Sequence, residues 1–237
     1  MSSIIEDVMV RKLFNSRGQE TIEVDIITTD GFGRAAAPAG ASKGKAEVIS
    51  YPKGGVDAAI KTLEELVAPE LIGMDAEEQN EVDALLHEID GTNNFANVGG
   101  NTVFAISVAN AEAAATSYDL PLFQYLSGYL GNELPYPLGN VLGGGKHALG
   151  KTTDIQEYLV IPFKASSFVE AAKANIRVHE KIGASLRKAD KNFTGGRGDE
   201  GAWAGAGRGP GLARDDGRRS RSSPGERRSQ GEPRGRT

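Results

Sequence analysis

Four short segments hold the residues of this chain best suited to chemistry. They are Gly40-Ala41-Ser42-Lys43-Gly44, Gly143-Gly144-Gly145-Lys146-His147-Ala148, Asp154-Ile155-Gln156-Glu157-Tyr158 and Gly198-Asp199-Glu200-Gly201. Hydroxyl, imidazole, amide and carboxylate groups hold substrates, ligate metals and move protons. Taken singly, each has a plainer reading. A serine in a Gly/Ala/Lys loop is usually a turn residue, a lone histidine is usually structural, and an isolated Asp-Glu is usually loop charge. One literal motif tests this caution. Gly145–Thr152 fits the phosphate-loop pattern, which needs a strand before it and a helix starting within it, so that backbone N–H groups surround a phosphate. Thr153–Phe163 reads instead as a strand, reaching Pro162, and this context argues against a nucleotide-binding loop.

The elements that must position these segments follow from hydrophobic period. Residues 4–14 and 20–29 alternate as strands, with Ile22, Val24 and Ile26 against Glu23 and Asp25. Asn15-Ser16-Arg17-Gly18 is a turn signal between them, and a short third strand is predicted near Gly33–Pro38. Residues 39–55 read as a loop. Val56, Ile60, Leu63 and Leu66 then mark one helical stripe, and Val82, Leu85, Leu86 and Ile89 another. Residues 103–117 predict a buried helix, and Pro121–Leu130 a short one. Beyond Pro135, Leu138–Leu142 and Ile155–Ile161 read as buried strands. Phe168, Ala172, Ile176, His179 and Leu186 mark a helix of about 20 residues with one apolar face, and Phe193–Ala204 reads as the next strand end and loop. His87 and His179 fall in these stripes and read as surface or packing residues.

Composition bounds the function. The last 33 residues hold nine Arg, eight Gly, four Ser and three Pro, with four acidic residues. Set against whole-chain totals of 27 basic and 32 acidic residues, this leaves residues 1–204 at a formal charge of −10. An acidic body argues against nucleic-acid binding and suits a cytoplasmic protein. There is no cysteine, which excludes disulfides and thiolate metal sites. No basic, apolar leader opens the chain, and no run approaches the length of a membrane span.

Read together, the four segments, with Asn15-Ser16-Arg17-Gly18 and Phe32-Gly33-Arg34-Ala35-Ala36, resemble enolase (phosphopyruvate hydratase), in detail its archaeal form, over roughly residues 4–204. The resemblance implies an α+β N-terminal domain over 1–134, a three-stranded antiparallel meander plus helices. It implies an incomplete, TIM-like α/β barrel over 135–204 and a disordered Arg/Gly-rich tail over 205–237. It implies a Mg²⁺-dependent lyase of glycolysis and gluconeogenesis that interconverts 2-phosphoglycerate and phosphoenolpyruvate. Glu200 matches the acid that protonates the departing hydroxyl, with Glu157 beside it. Two close carboxylates would raise each other's pKa and keep one proton available. His147, Gln156 and Glu157 match substrate contacts, and Ser42 matches a Mg²⁺ ligand on a closing loop.

The family's Lys base, its three carboxylate metal ligands and its phosphate-gripping Arg-Ser pair have no match in 205–237. The tail's composition is that of GC-rich DNA read in another frame, so a frameshift near codon 205 is expected, and a chain inactive alone. The alternative is a non-catalytic dimerisation or regulatory module, because the resemblance implies a homodimer or higher homo-oligomer, with dimers formed through the N-terminal domain around the segment of Arg17. No nucleic-acid or membrane partner is expected.

Overall fold

The computed structural model describes residues 2–40, 44–145, 155–198 and 200–204. The chain divides into two compact units, with the boundary between Leu134 and Pro135. The tail expected to be disordered lies outside the described residues.

The first unit opens with an antiparallel meander, β1 (Ile5–Phe14), β2 (Glu20–Thr28) and β3 (Phe32–Ala36), in that order across the sheet. The first hairpin is closed by the residues that signal it. Asn15 Oδ1 accepts from the backbone N–H groups of Arg17 (2.9 Å) and Gln19 (3.0 Å), and Gly18 takes φ 70°, where a Cβ would be strained. Strand alternation then sorts β2 into two faces. Ile22, Val24 and Ile26 are fully buried in the core. Asp25, on the other face, is buried between Arg11 and Arg34, with Arg34 donating from two nitrogens at 2.7 and 2.8 Å. The Arg34 hydrogen bond, opposed by desolvation and helped by Arg11, holds the Asp25 carboxyl below the usual carboxylate range.

Helices cover the core face. They are α1 (Gly55–Thr62), a π-helical turn (Leu63–Val67), α2 (Ala68–Leu71), α3 (Gln79–Asp90), α4 (Gly100–Ser117) and α5 (Leu122–Ser127), followed by a 3₁₀ turn at Gly128–Leu130. The π turn corrects one expected stripe. Leu66 is exposed, and the core takes Ala59, Leu63, Val67 and Leu71 instead. A strict spacing of four drifts by about 40° per step around an α-helix. The wider π turn absorbs part of that drift and keeps the four residues on one side.

α4 packs on β2 and β3 and is buried around most of its circumference, with Ala105, Ile106, Ala109, Ala113 and Ala114 at zero exposure. β3 approaches it so closely that a Cβ on Gly33 would fall 1.9 Å from the Ala109 carbonyl oxygen. α3 ends in a cap built on Asp90, a buried residue. Its carboxylate accepts from the N–H groups of Asn97 (2.9 Å) and Val98 (2.8 Å) and from the Thr92 hydroxyl. Burial pushes its pKa up, but these bonds outweigh burial and hold it below the ordinary value.

The second unit contains β4 (Gly139–Gly143), β5 (Glu157–Val160), α6 (Phe168–Ala189) and the short β6 (Trp203–Ala204). The sheet order is β5-β4-β6, with β5 antiparallel and β6 parallel to β4. These strands do not close a barrel among the described residues. α6 starts at Ser167, whose hydroxyl accepts from the Glu170 N–H at 3.2 Å, while Ser166 donates twice to the Glu170 carboxylate, a variant of the capping box.

Two expectations fail here. Leu138, Leu159 and Ile161 are exposed, and only Val141 and Gly143 of these strands are buried. α6 packs on β4 and β6, and an apolar run does not by itself separate a covered strand from an edge strand. On α6, Phe168 and Ile176 are exposed while Ala171, Gly183 and Leu186 are buried. At Gly183 the helix lies against Trp203, where a Cβ would meet the indole ring.

Replacing Gly33 by Ala is expected to destabilise the first unit by about 1–3 kcal/mol, the usual cost of overpacking, measured by urea denaturation. Asp25 and Asp90 have folded pKa values below their unfolded ones. Their contribution is therefore present above the unfolded value of about 3.9 and lost as pH falls through the folded values. Stability measured by urea denaturation should fall below about pH 4, and the Asp90→Asn variant should show a shallower fall.

Candidate active site

β4 is the strand on which the candidate residues are hung. Its register sets Gly143 opposite Glu157 and beside Ala204. β5 runs antiparallel, so Glu157, its first residue, stands at the C-terminal end of β4. The preceding residue, Gln156, accepts through its carbonyl from the Gly144 N–H at 2.8 Å. Backbone pairing therefore holds Gln156 and Glu157 against the glycine run. The C-terminal ends of strands are where barrel folds place their chemistry.

Glu200 is held by a different device. Residues 196–198 and 200–204 pair back on each other as a hairpin, in which Ala204 N–H donates to the Gly196 carbonyl and Gly198 N–H to that of Ala202, both at 2.9 Å. The tip is a turn closed by Gly201 N–H on the Gly198 carbonyl at 2.9 Å. Glu200 projects from that tip, and its carboxylate accepts from Asn140 Nδ2 at 2.8 Å. The two glutamates are thus anchored at different points of β4. Glu157 is fixed through its backbone at Gly143 and Glu200 through its side chain at Asn140, about 10 Å apart along the strand.

Asn140 was not among the residues singled out from the sequence. Its signal was a lone polar side chain inside the apolar run Leu138–Leu142, which requires a partner when enclosed. The bases of the hairpin rest on Trp203, which is buried with Phe193 and Leu186. Trp203 stacks on His179 at 4.7 Å between ring centroids and donates from Nε1 to the His179 carbonyl at 2.7 Å. The His179 ring bonds in turn to the Gly201 carbonyl at 3.0 Å. His179 is therefore a packing residue that connects α6 to the turn. Arg197 and Arg187 lie 4.6 and 5.3 Å from the indole centroid, within cation–π range.

His147 and Ser42 lie outside the described residues. Among the described residues, no group of three or more His, Asp or Glu side chains gathers in a way that could hold a metal ion. No described helix is long and apolar enough to cross a membrane.

A meander-and-helix unit followed by the opening strands and helix of an α/β barrel, with carboxylates tied to its first strand, defines the class of chain. Comparison with known proteins gives the family. Residues 5–126 match the enolase N-terminal domain, and residues 132–211 match the enolase C-terminal TIM barrel domain. The chain is 54% identical to an enolase of Methanosphaera stadtmanae over 204 residues, covering 86% of this chain and 49% of the relative. It is 54% identical to one of Methanothermobacter thermautotrophicus over 203 residues, with the same coverage. With an enolase of Haloarcula marismortui it shares 45% over 205 residues, covering 85% and 50%. The chain belongs to the enolase family. It spans about half the length of the curated relatives it matches.

Trp203 is the single tryptophan, so its emission reports on the hairpin alone. A Cβ on Gly183 would lie 2.6 Å from the indole ring. Gly183→Ala is expected to displace the ring, shift the emission to longer wavelength and raise acrylamide quenching. An unchanged spectrum would show that α6 does not pack as described.

Proposed function

We propose that residues 1–134 are the enolase N-terminal domain and residues 135–204 the opening of its barrel, and that together they carry the proton-donor side of 2-phosphoglycerate dehydration to phosphoenolpyruvate. Family membership along both units supports this reading, and so does the closed turn that presents Glu200 beside β4. Glu200 protonates the hydroxyl that leaves carbon 3, and Glu157 is the neighbouring carboxylate. Gln156, Glu157 and His147 contact the substrate.

Ser42 is the proposed ligand to Mg²⁺, which in the family stabilises charge on the substrate carboxylate. The described residues offer no cluster for that ion, and no step is routed through it. The chemistry left to this chain is binding and proton delivery. General acid assistance is worth about 10²–10⁴-fold, which is far short of a whole enzymatic acceleration. In the family the base that removes the carbon-2 proton is a Lys. The last residues of the barrel match, 205–211, hold neither Lys nor a carboxylate. The polypeptide 1–237 is therefore proposed to be inactive by itself, to associate as a homodimer through its first unit, and to act in the cytoplasm. The alternative, a non-catalytic dimerisation or regulatory module, is favoured by one observation: the first unit closes a core of its own.

A coupled assay separates these readings. Purified 1–237, freed of host enolase, should show no Mg²⁺-dependent turnover, and turnover would overturn the proposed inactivity. A chain joining residues 1–204 to the remainder of the Methanosphaera relative should be active if the site residues are competent. In that joined chain, Glu200→Gln keeps the size of the side chain but has no proton to give. It should lower kcat by about 10²–10⁴-fold and change KM little. Exchange of the carbon-2 proton should survive better than dehydration, and equal loss of both would refute the assignment of Glu200 as the acid.

A further inference from the structure

We infer that Asn140 is a positioning residue that holds the Glu200 carboxyl group in both its ionised and its protonated form. The inference rests on the reading of Glu200 as a proton donor. Such a group exists in two states with opposite needs. Ionised, it only accepts hydrogen bonds; protonated, it must also donate one. A lysine or arginine partner would serve the first state alone. A primary amide serves both, because it carries a donor and an acceptor on one planar group.

Three features of Asn140 fit that task. Its Nδ2 donates to Glu200 Oε2 at 2.8 Å, the orientation that a carboxylate requires. Its Oδ1 is enclosed and has no hydrogen-bond partner among the described residues, an unusual state for a buried carbonyl oxygen. A half-turn of the amide about its last side-chain bond exchanges the two atoms. It then presents Oδ1 to a Glu200 O–H, so the group that is orphaned in one state becomes the acceptor in the other. The third feature is the backbone. The pairing of β4 with β5 shifts register between Asn140 and Leu142, and such an irregularity re-aims side chains next to sites.

The step this serves balances simply. The electron pair left on carbon 2 by removal of its proton forms the double bond to carbon 3, and the bond from carbon 3 to oxygen breaks with its own pair left on oxygen. The Glu200 proton passes to that oxygen, water departs, and Glu200 remains as a carboxylate. Asn140 then turns its NH₂ to the new charge. Asn140 touches no reacting atom and acts only through Glu200. Among the described residues, the other titratable groups near the hairpin include Glu157 on β5, His179 on α6, and Arg187 and Arg197 beside Trp203.

The test uses the chain 1–237, labelled with ¹⁵N and followed by NMR. The Asn140 side-chain NH₂ signal is identified by its loss in Asn140→Ser, with triple-resonance assignment as the route if that variant fails to fold. On acidification the signal should move in the wild type and stay still in Glu200→Gln, which isolates Glu200 from Glu157 and His179. A signal that ignores pH, or moves equally in Glu200→Gln, overturns the inference. The joined chain gives the catalytic readout. Asn140→Leu should lower kcat by about 10²-fold with KM within about threefold. Asn140→Asp, which sets a second carboxylate beside Glu200, should move the acid-requiring limb of the kcat profile to higher pH. Unchanged kcat and pH profile in both variants also overturn it. An inactive joined chain counts against the proposed function, and the NMR result on 1–237 then decides the inference alone.

Discussion

The first unit depends on one close approach, that of β3 to α4. Gly31 and Gly33 lie where a Cβ would strike Ala113 and Ser117, or Ala109. The helix answers with a run of alanines, which have no side-chain entropy to lose on burial. Two backbones at this separation leave no room for side chains between them, so the remaining apolar volume is supplied from the flanks. Ile22, Val24 and Ile26 of β2 supply it from one side, and Leu63, Val67, Leu71, Val82 and Leu86 from the other. The polar groups this contact traps are paired locally. Ser117 Oγ bonds to Thr28 and to the Ala113 carbonyl, and Thr116 Oγ1 to the Phe32 backbone. Once the two backbones meet, sheet and helices have one arrangement that fills the space.

Carboxylates are used in two ways in this chain. Asp25 and Asp90 are enclosed, each is met by several donors, and their charge is fixed as part of the structure. A buried charge is tolerable only on those terms. Glu200 sits at a turn tip, tied to Asn140, whose other amide atom has no partner among the described residues. A carboxylate locked by two guanidinium groups keeps its charge over the whole physiological range. Glu200 meets a neutral amide at that contact instead. The difference between scaffold and candidate site is thus visible in the partners, because the residue types are the same.

The sequence made the first unit readable because its signals are local. Asn15 and Gly18 sit in the turn they close, and period-2 alternation in β2 sorts core from surface without tertiary information. The π turn was not readable, since Leu66 and Val67 are equally apolar and only the phase of the helix chooses between them. In the second unit the contact face of α6 is chosen by Trp203, which is distant in sequence. Period alone therefore favoured Phe168 and Ile176 over Gly183, the α6 residue that lies against the indole. The candidate site shows the same split. Glu157 and Glu200 stood out by motif, whereas Asn140 appears only when the hairpin returns to β4.

That return also explains why glycine dominates both site segments. Gly143 sits between Glu157 and Ala204 across three strands, and any side chain there would stand at the strand end that holds Gln156 and Glu157. Gly201 has φ 77°, which lets the chain reverse directly after Glu200 and bring Trp203 into register with Leu142. The indole then fixes the hairpin from below through His179, which also bonds to Gly201. The position of the proposed acid is thus set from two sides. α6 holds the turn through imidazole and indole, and β4 holds the carboxyl group through the amide of Asn140.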